Sequence, residues 1–163
     1  MSAGRPDDAD ELLLQAEHDI EDAALRDKLR QTRAFILFYC GRPAEAIPAL
    51  SLILDRPGAN ELTCLLAAVT AVLALAISGR TEQAVAIAER WIECAYRLAE
   101  KSPLAAGRLL TTESYALLLA GRLHESEARL DGAAAFDLPF PRRNPQHATK
   151  PPPPVRSVAP QDT

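Results

Sequence analysis

Gly79-Arg80-Thr81-Glu82-Gln83-Ala84 follows a long apolar run and opens an amphipathic one, and the chain carries the same pattern on either side of it. Gly41-Arg42-Pro43-Ala44-Glu45-Ala46 stands 38 residues before it, and Gly121-Arg122-Leu123-His124-Glu125-Ser126 stands 42 residues after it. The shared form is G-R-x-x-[EQ]-[AS]. A self-similar spacing of roughly 20–50 residues marks an array of supersecondary units, each too small to bury its apolar face alone. Each residue type has a physical reason. Glycine accepts the left-handed conformation that ends a helix and allows a tight reversal. The acidic or amide residue falls in the first turn of the next helix, where the dipole and free N–H groups favour it. The small residue lets the two helices approach closely. The arginine reads as solvated, with no special role.

Helices extend outward from these junctions. A short one is expected over Glu11 to Ile20, and the next over Asp22 to Cys40, with Leu25, Leu29 and Ile36 at helical spacing before Gly41 stops it. Pro43 suits the first turn of a third, to about Leu54, with a kink or late start expected at Pro48. Asp55 to Ala59 is a turn and Asn60 an N-cap. Leu62 to Ile77 follows, with only Thr63 and Thr70 polar. It is alanine-rich and shorter than the about 20 residues of a membrane span, so it reads as a central core helix. Thr81 is expected to cap the fifth helix, to about Glu100, with a stripe at Ala84, Ile87, Ala88, Trp91, Ala95 and Leu98. Ser102-Pro103 opens a sixth to Ala120, and a seventh spans Leu123 to Ala135. Residues 1–8 read as a disordered lead, 9–136 as the helical-repeat domain and 137–163 as a disordered tail. Eight of the thirteen prolines fall between Pro139 and Pro160, a density that forbids a packed core.

The glycine, the small residue at Ala46, Ala84 and Ser126, and Pro57 closing the first full repeat resemble the tetratricopeptide repeat. The expected fold class is therefore all-α, a right-handed solenoid of antiparallel helix hairpins with about seven helices. The spacing exceeds the usual tetratricopeptide length, and the aromatic near the start of the first helix is missing. Longer, alanine-rich repeats with such junctions look like the helical sensor region of the large ATP-binding LuxR-family transcriptional regulators. The likeness runs from about Asp10 to Leu130. It implies an ATPase module and a helix-turn-helix module in the parent architecture, yet the chain has no G-x-x-x-x-G-K-[ST] and no Gly-Lys dipeptide. ATP hydrolysis and DNA binding are not carried over.

Charge excludes other classes. Residues 1–30 carry nine acids against four bases, and the formal net charge is −4, so direct nucleic-acid binding by this segment is not expected. Cys40, Cys64 and Cys94 are scattered in apolar helical stretches, with no C-x-x-C pair. They read as buried thiols in a reducing cytoplasm, and the acidic N-terminus has no signal-peptide core. Of His18, His124 and His147, none has another ligand at metal-binding spacing, and no serine sits in a nucleophile elbow. Glu89 and Glu93 share a helix face with Arg97 beyond them, the pattern of a solvated face. No cofactor, metal or catalysis is expected.

Function is then expected in the groove made by the first helix of each hairpin. By resemblance, the inward positions are Lys28, Gln31, Phe35, Phe38 and Tyr39 in the first hairpin, Leu66, Val69 and Leu73 in the middle one, and Arg108, Thr111 and Tyr115 in the third. That mix suits an apolar segment with polar ends. The competing reading makes Phe35, Phe38 and Tyr39 core. A protein or peptide partner is expected, and no membrane. The chain reads as a ligand- or protein-binding module related to such a sensor arm; the alternatives are a peptide-binding adaptor or chaperone-like scaffold, or a non-functional remnant of a larger regulator. The array leaves its ends open. Leu12, Leu13 and Leu14 at one end, and Ala133 to Phe136 at the other, predict self-association, unless the tail folds back through Leu138 and Phe140.

Overall fold

Asp22 and Asn60 each place a side-chain oxygen under the first turn of a helix, accepting from Leu25 N at 2.8 Å and Thr63 N at 3.1 Å. The computed structural model describes residues 6–134 and 136. Those residues form α1 (Pro6–Asp19), α2 (Ala23–Tyr39), α3 (Pro43–Leu54), α4 (Glu61–Ile77), α5 (Thr81–Leu98), α6 (Pro103–Leu119) and α7 (Leu123–Ala134), with no strand among them. The all-helical expectation is met.

The three junctions are geometrically equivalent. Gly41, Gly79 and Gly121 have φ of 78°, 76° and 77°. Each glycine N–H donates back to Phe38, Ala76 or Leu118, and each following arginine N–H donates to Leu37, Leu75 or Leu117 at 2.9 Å. This is the double bond of a Schellman ending, which satisfies carbonyls that the helix leaves free. The arginine is not idle. It stands at the N-cap with no cap bond of the usual kind, and its guanidinium reaches one turn ahead. Arg42 Nε donates to Glu45 at 2.7 Å, Arg80 Nε to Gln83 at 2.8 Å and Arg122 Nε to Glu125 at 2.8 Å. The acidic or amide residue is thus tied to its own arginine as well as placed in the dipole field.

Small residues set the packing distance. Ala46, Ala84 and Ala88 are fully buried, as are Ala67, Ala68 and Ala74 of α4. Leucines fill what remains, with Leu37, Leu50, Leu65, Leu109 and Leu117 among the largest fully buried side chains. Consecutive helices pack together from α2 to α7. In addition, α4 lies against both α2 and α3, and α6 lies against both α4 and α5. α1 rests on α2, tied by Arg33 Nε to Asp10 at 2.5 Å and Arg30 Nε to Glu17 at 2.6 Å.

Several expectations are corrected. α1 starts at Pro6, inside the stretch read as a disordered lead, because proline suits a first turn. Arg80 holds the N-cap, so Thr81 is the first helical residue. α3 runs from Pro43 without a late start at Pro48. Cys64 and Cys94 are buried, but Cys40 is exposed, since it caps the end of α2 where the chain turns into solvent. Ala135, the tail, and with it Leu138 and Phe140, lie outside the described residues.

One buried carboxylate sets a pH dependence. Glu113 of α6 is 1% exposed and takes a 2.9 Å bond from Arg129 Nε of α7 on one oxygen. Its other oxygen is buried with no hydrogen-bond partner among the described residues. Burial pushes the Glu113 carboxyl above the ordinary carboxylate range, and Arg129 opposes that rise only in part. The folded chain therefore binds more protons than the unfolded chain between the two values. The stability this lends at low pH is lost as pH rises through the folded value. Glu45 and Glu125 have the opposite sign, but their arginine partners hold them below the ordinary range, so their window lies lower. Thermal melts of the wild type and Glu113→Gln should diverge in the wild type's favour as pH falls from neutral towards the ordinary carboxylate range. A difference independent of pH would show that Glu113 does not titrate there.

Candidate functional site

Three threonines stand nine residues before the three junction glycines: Thr32, Thr70 and Thr112. Each turns its hydroxyl back onto its own helix, to Lys28 O at 2.9 Å, Leu66 O at 3.2 Å and Leu109 O at 2.9 Å. The back-bond leaves the methyl as the group presented outward. All three line a groove that runs along α2 and α4 and reaches α6.

The groove has two parts. The deeper one, about 70 Å³, is walled by Gln31, Phe35, Phe38 and Tyr39 of α2, by Leu66, Val69, Thr70 and Leu73 of α4, and by Arg108 and Thr112 of α6. The wider one, about 400 Å³, lies between the first turns of α2 and α4 and is walled by Ala24, Leu25, Lys28, Gln31 and Thr32 against Asn60, Leu62, Thr63 and Leu66. Gln31 and Leu66 belong to both, so the two are continuous. From Ala24 to Tyr39 the α2 wall is 15 steps long, or about 22 Å at the helical rise of 1.5 Å per residue.

The aromatic end is open. Phe35 is 37% exposed and Tyr39 64%, with Phe38 half-buried, so these three are not core. They hold one another: Tyr39 stands 4.5 Å from the Phe35 centroid and 5.2 Å, edge-on, from Phe38. Lys28 and Arg108, both exposed, are the charged residues on the walls, and no wall residue is acidic. The net charge of −4 is carried elsewhere.

Of the candidate residues, Lys28, Gln31, Phe35, Phe38, Tyr39 and Arg108 are brought together with Leu66, Val69 and Leu73. Thr111 and Tyr115 are not. Counted back from the junction glycines, they match Val69 and Leu73 of α4 and Gln31 and Phe35 of α2. The groove needs a following helix to wall it, and no described helix follows α6 on that side. Thr111 instead gives its hydroxyl to Gly107 O at 2.9 Å, and Tyr115 is exposed. Thr112, Thr70, Leu25 and Leu62 are wall residues that sequence reasoning missed, and the threonine register was a usable signal for two of them.

Comparison of the chain with protein families, with curated proteins and with solved structures finds no match.

Other chemistry is sparse. Among the described residues no cluster of three or more His, Cys, Asp or Glu has the arrangement of a metal site. No described helix is long and apolar enough to cross a membrane. Burial pushes the Cys64 and Cys94 thiols up, which lowers their thiolate fraction.

Proposed function

We propose that this chain is a non-catalytic binding module, a right-handed solenoid of tetratricopeptide-like hairpins, whose α2/α4 groove receives an apolar peptide segment bearing a carboxylate. The observation that carries the reading is the groove wall. Open aromatics and aliphatics on two helices are flanked by Lys28 and Arg108, with no acidic residue among them. An apolar segment gains by burying its side chains between the helices, and a carboxylate on it gains from the two cations. The three in-register junctions and the likeness of their sequence to the LuxR-type sensor arm support a sensing or partner-binding role over a catalytic one. The three free thiols suit a reducing compartment, and we place the protein in the cytoplasm.

A random peptide display library panned on the intact chain tests this. Enriched peptides should share an apolar core with Asp or Glu at a flank. Arg108→Glu combined with Lys28→Glu should weaken the selected peptides about tenfold or more, and their affinity for the wild type should fall with salt. No enrichment, or peptides indifferent to both substitutions, would end the reading. Neither side chain is in the core, so the variant should keep its helix content.

A further inference from the structure

Successive helices occupy successive saddles. α4 lies in the saddle between α2 and α3, and α6 lies in the saddle between α4 and α5. The saddle between α6 and α7 has no helix on it among the described residues. The junction register shows what that leaves bare. Leu130 of α7 corresponds to Ala88 of α5 and Leu50 of α3, and both of those are 0% exposed. Leu118 of α6 corresponds to Ala76 of α4, which is 2% exposed. Leu130 and Leu118 are instead 53% and 49% exposed. Two positions that are buried under the next helix in the middle hairpin are thus bare leucines in the last one. Leu119 and Leu123, also exposed, extend the same end.

We infer that this saddle is covered by the α6/α7 hairpin of a second copy, giving a two-fold dimer with the two α7 helices crossing antiparallel about Leu130. Three observations select this occupant. First, what covers the equivalent saddles is a helix of this chain's own repeat, so the shape to be matched is that of a hairpin. Second, the exposed stripe of α7 is Leu123, Glu127, Leu130 and Ala134, at helical spacing. An antiparallel crossing about Leu130 sets Leu130 on its counterpart and Glu127 opposite the alanines that end the other α7. It also sets Asp131 of one copy beside Arg129 of the other, so the charges match. Third, the other exposed end repels this stripe. α1 carries six carboxylates and no Lys or Arg, so head-to-tail stacking would set Glu127 and Asp131 against them. An isologous contact also closes at two copies, where a head-to-tail one would propagate.

Sedimentation velocity on the full chain, from low micromolar to near-millimolar concentration, should show a reversible monomer–dimer equilibrium. Leu130→Asp should weaken it about a hundredfold or more, because each dimer loses two buried leucines. Circular dichroism should be unchanged, since Leu130 is exposed in the monomer. Leu12→Asp, at the exposed face of α1, should leave the equilibrium where it was. In a Cys40→Ser background, Leu130→Cys should form a disulfide-linked dimer under mild oxidation, and Glu11→Cys should not. A chain that stays monomeric throughout overturns the inference. So does a dimer that survives Leu118→Asp combined with Leu130→Asp, or one that Leu12→Asp disrupts.

Discussion

Leu75→Ala is expected to lower the unfolding free energy by about 2–5 kcal/mol, the largest single-site loss outside proline insertion. Leu75 is 2% exposed and sits on α4, the helix packed against four others. Its carbonyl also accepts the 2.9 Å bond from Arg80 N that closes the second junction. The alanine variant keeps that backbone bond and loses only side-chain volume. Its neighbours are largely alanines already, with little side chain to move into the space, so collapse will be limited. Leu37 and Leu117 hold the same place in the first and third junctions and are equally buried. Leu37→Ala and Leu117→Ala should be destabilising too, but less, because α2 and α6 have fewer helices around them. Urea titrations of the three variants check the order. A loss at Leu75 no larger than at the other two would show that α4 is not the centre of the array.

Ala84→Leu is expected to cost about 1–3 kcal/mol by overpacking. Ala84 is fully buried five residues after Gly79, and its equivalents Ala46 and Ser126 are buried as well. A leucine there meets α4 across the hairpin, and the tight reversal at Gly79 prevents the two helices from parting without strain. Ser126 shows how the position can vary. Its hydroxyl and that of Ser114 exchange bonds with each other's carbonyl at 2.8 Å, a polar solution that needs no extra volume. Ala84→Ser should therefore be far milder than Ala84→Leu. Thermal melts of both check this, and equal losses would mean that volume is not what the position controls.

The fold was largely legible because its punctuation is local. Gly41, Gly79 and Gly121 end helices through their own backbone freedom, and Asp22 and Asn60 start them through their own side chains, so no tertiary information was needed. What escaped reading depends on reach or on register. The arginine after each glycine looks solvated in sequence, and only the helix geometry brings it within 3 Å of the side chain three residues on. Cys40 follows an apolar run and reads as core, but one further residue of rotation at the helix end turns it to solvent. In the groove, the α2 and α4 walls were readable from helix spacing. Thr111 and Tyr115 were misplaced because the same face of α6 has no following helix to wall a groove with. Thr32, Thr70 and Thr112 were in the sequence at equal distances from their glycines, but polar residues in two of three apolar helices drew less notice than the aromatics.

The most direct measurement is an amide and methyl NMR titration of the intact, isotopically labelled chain with a peptide selected on the display library. Saturable shifts are expected at Gln31, Phe35, Leu66, Leu73, Thr112 and their neighbours, with Arg108 and Lys28 side chains moving as the peptide's carboxylate binds. Shifts concentrated instead on α5 or α7, or spread without saturation over the surface, would contradict a binding groove between α2 and α4.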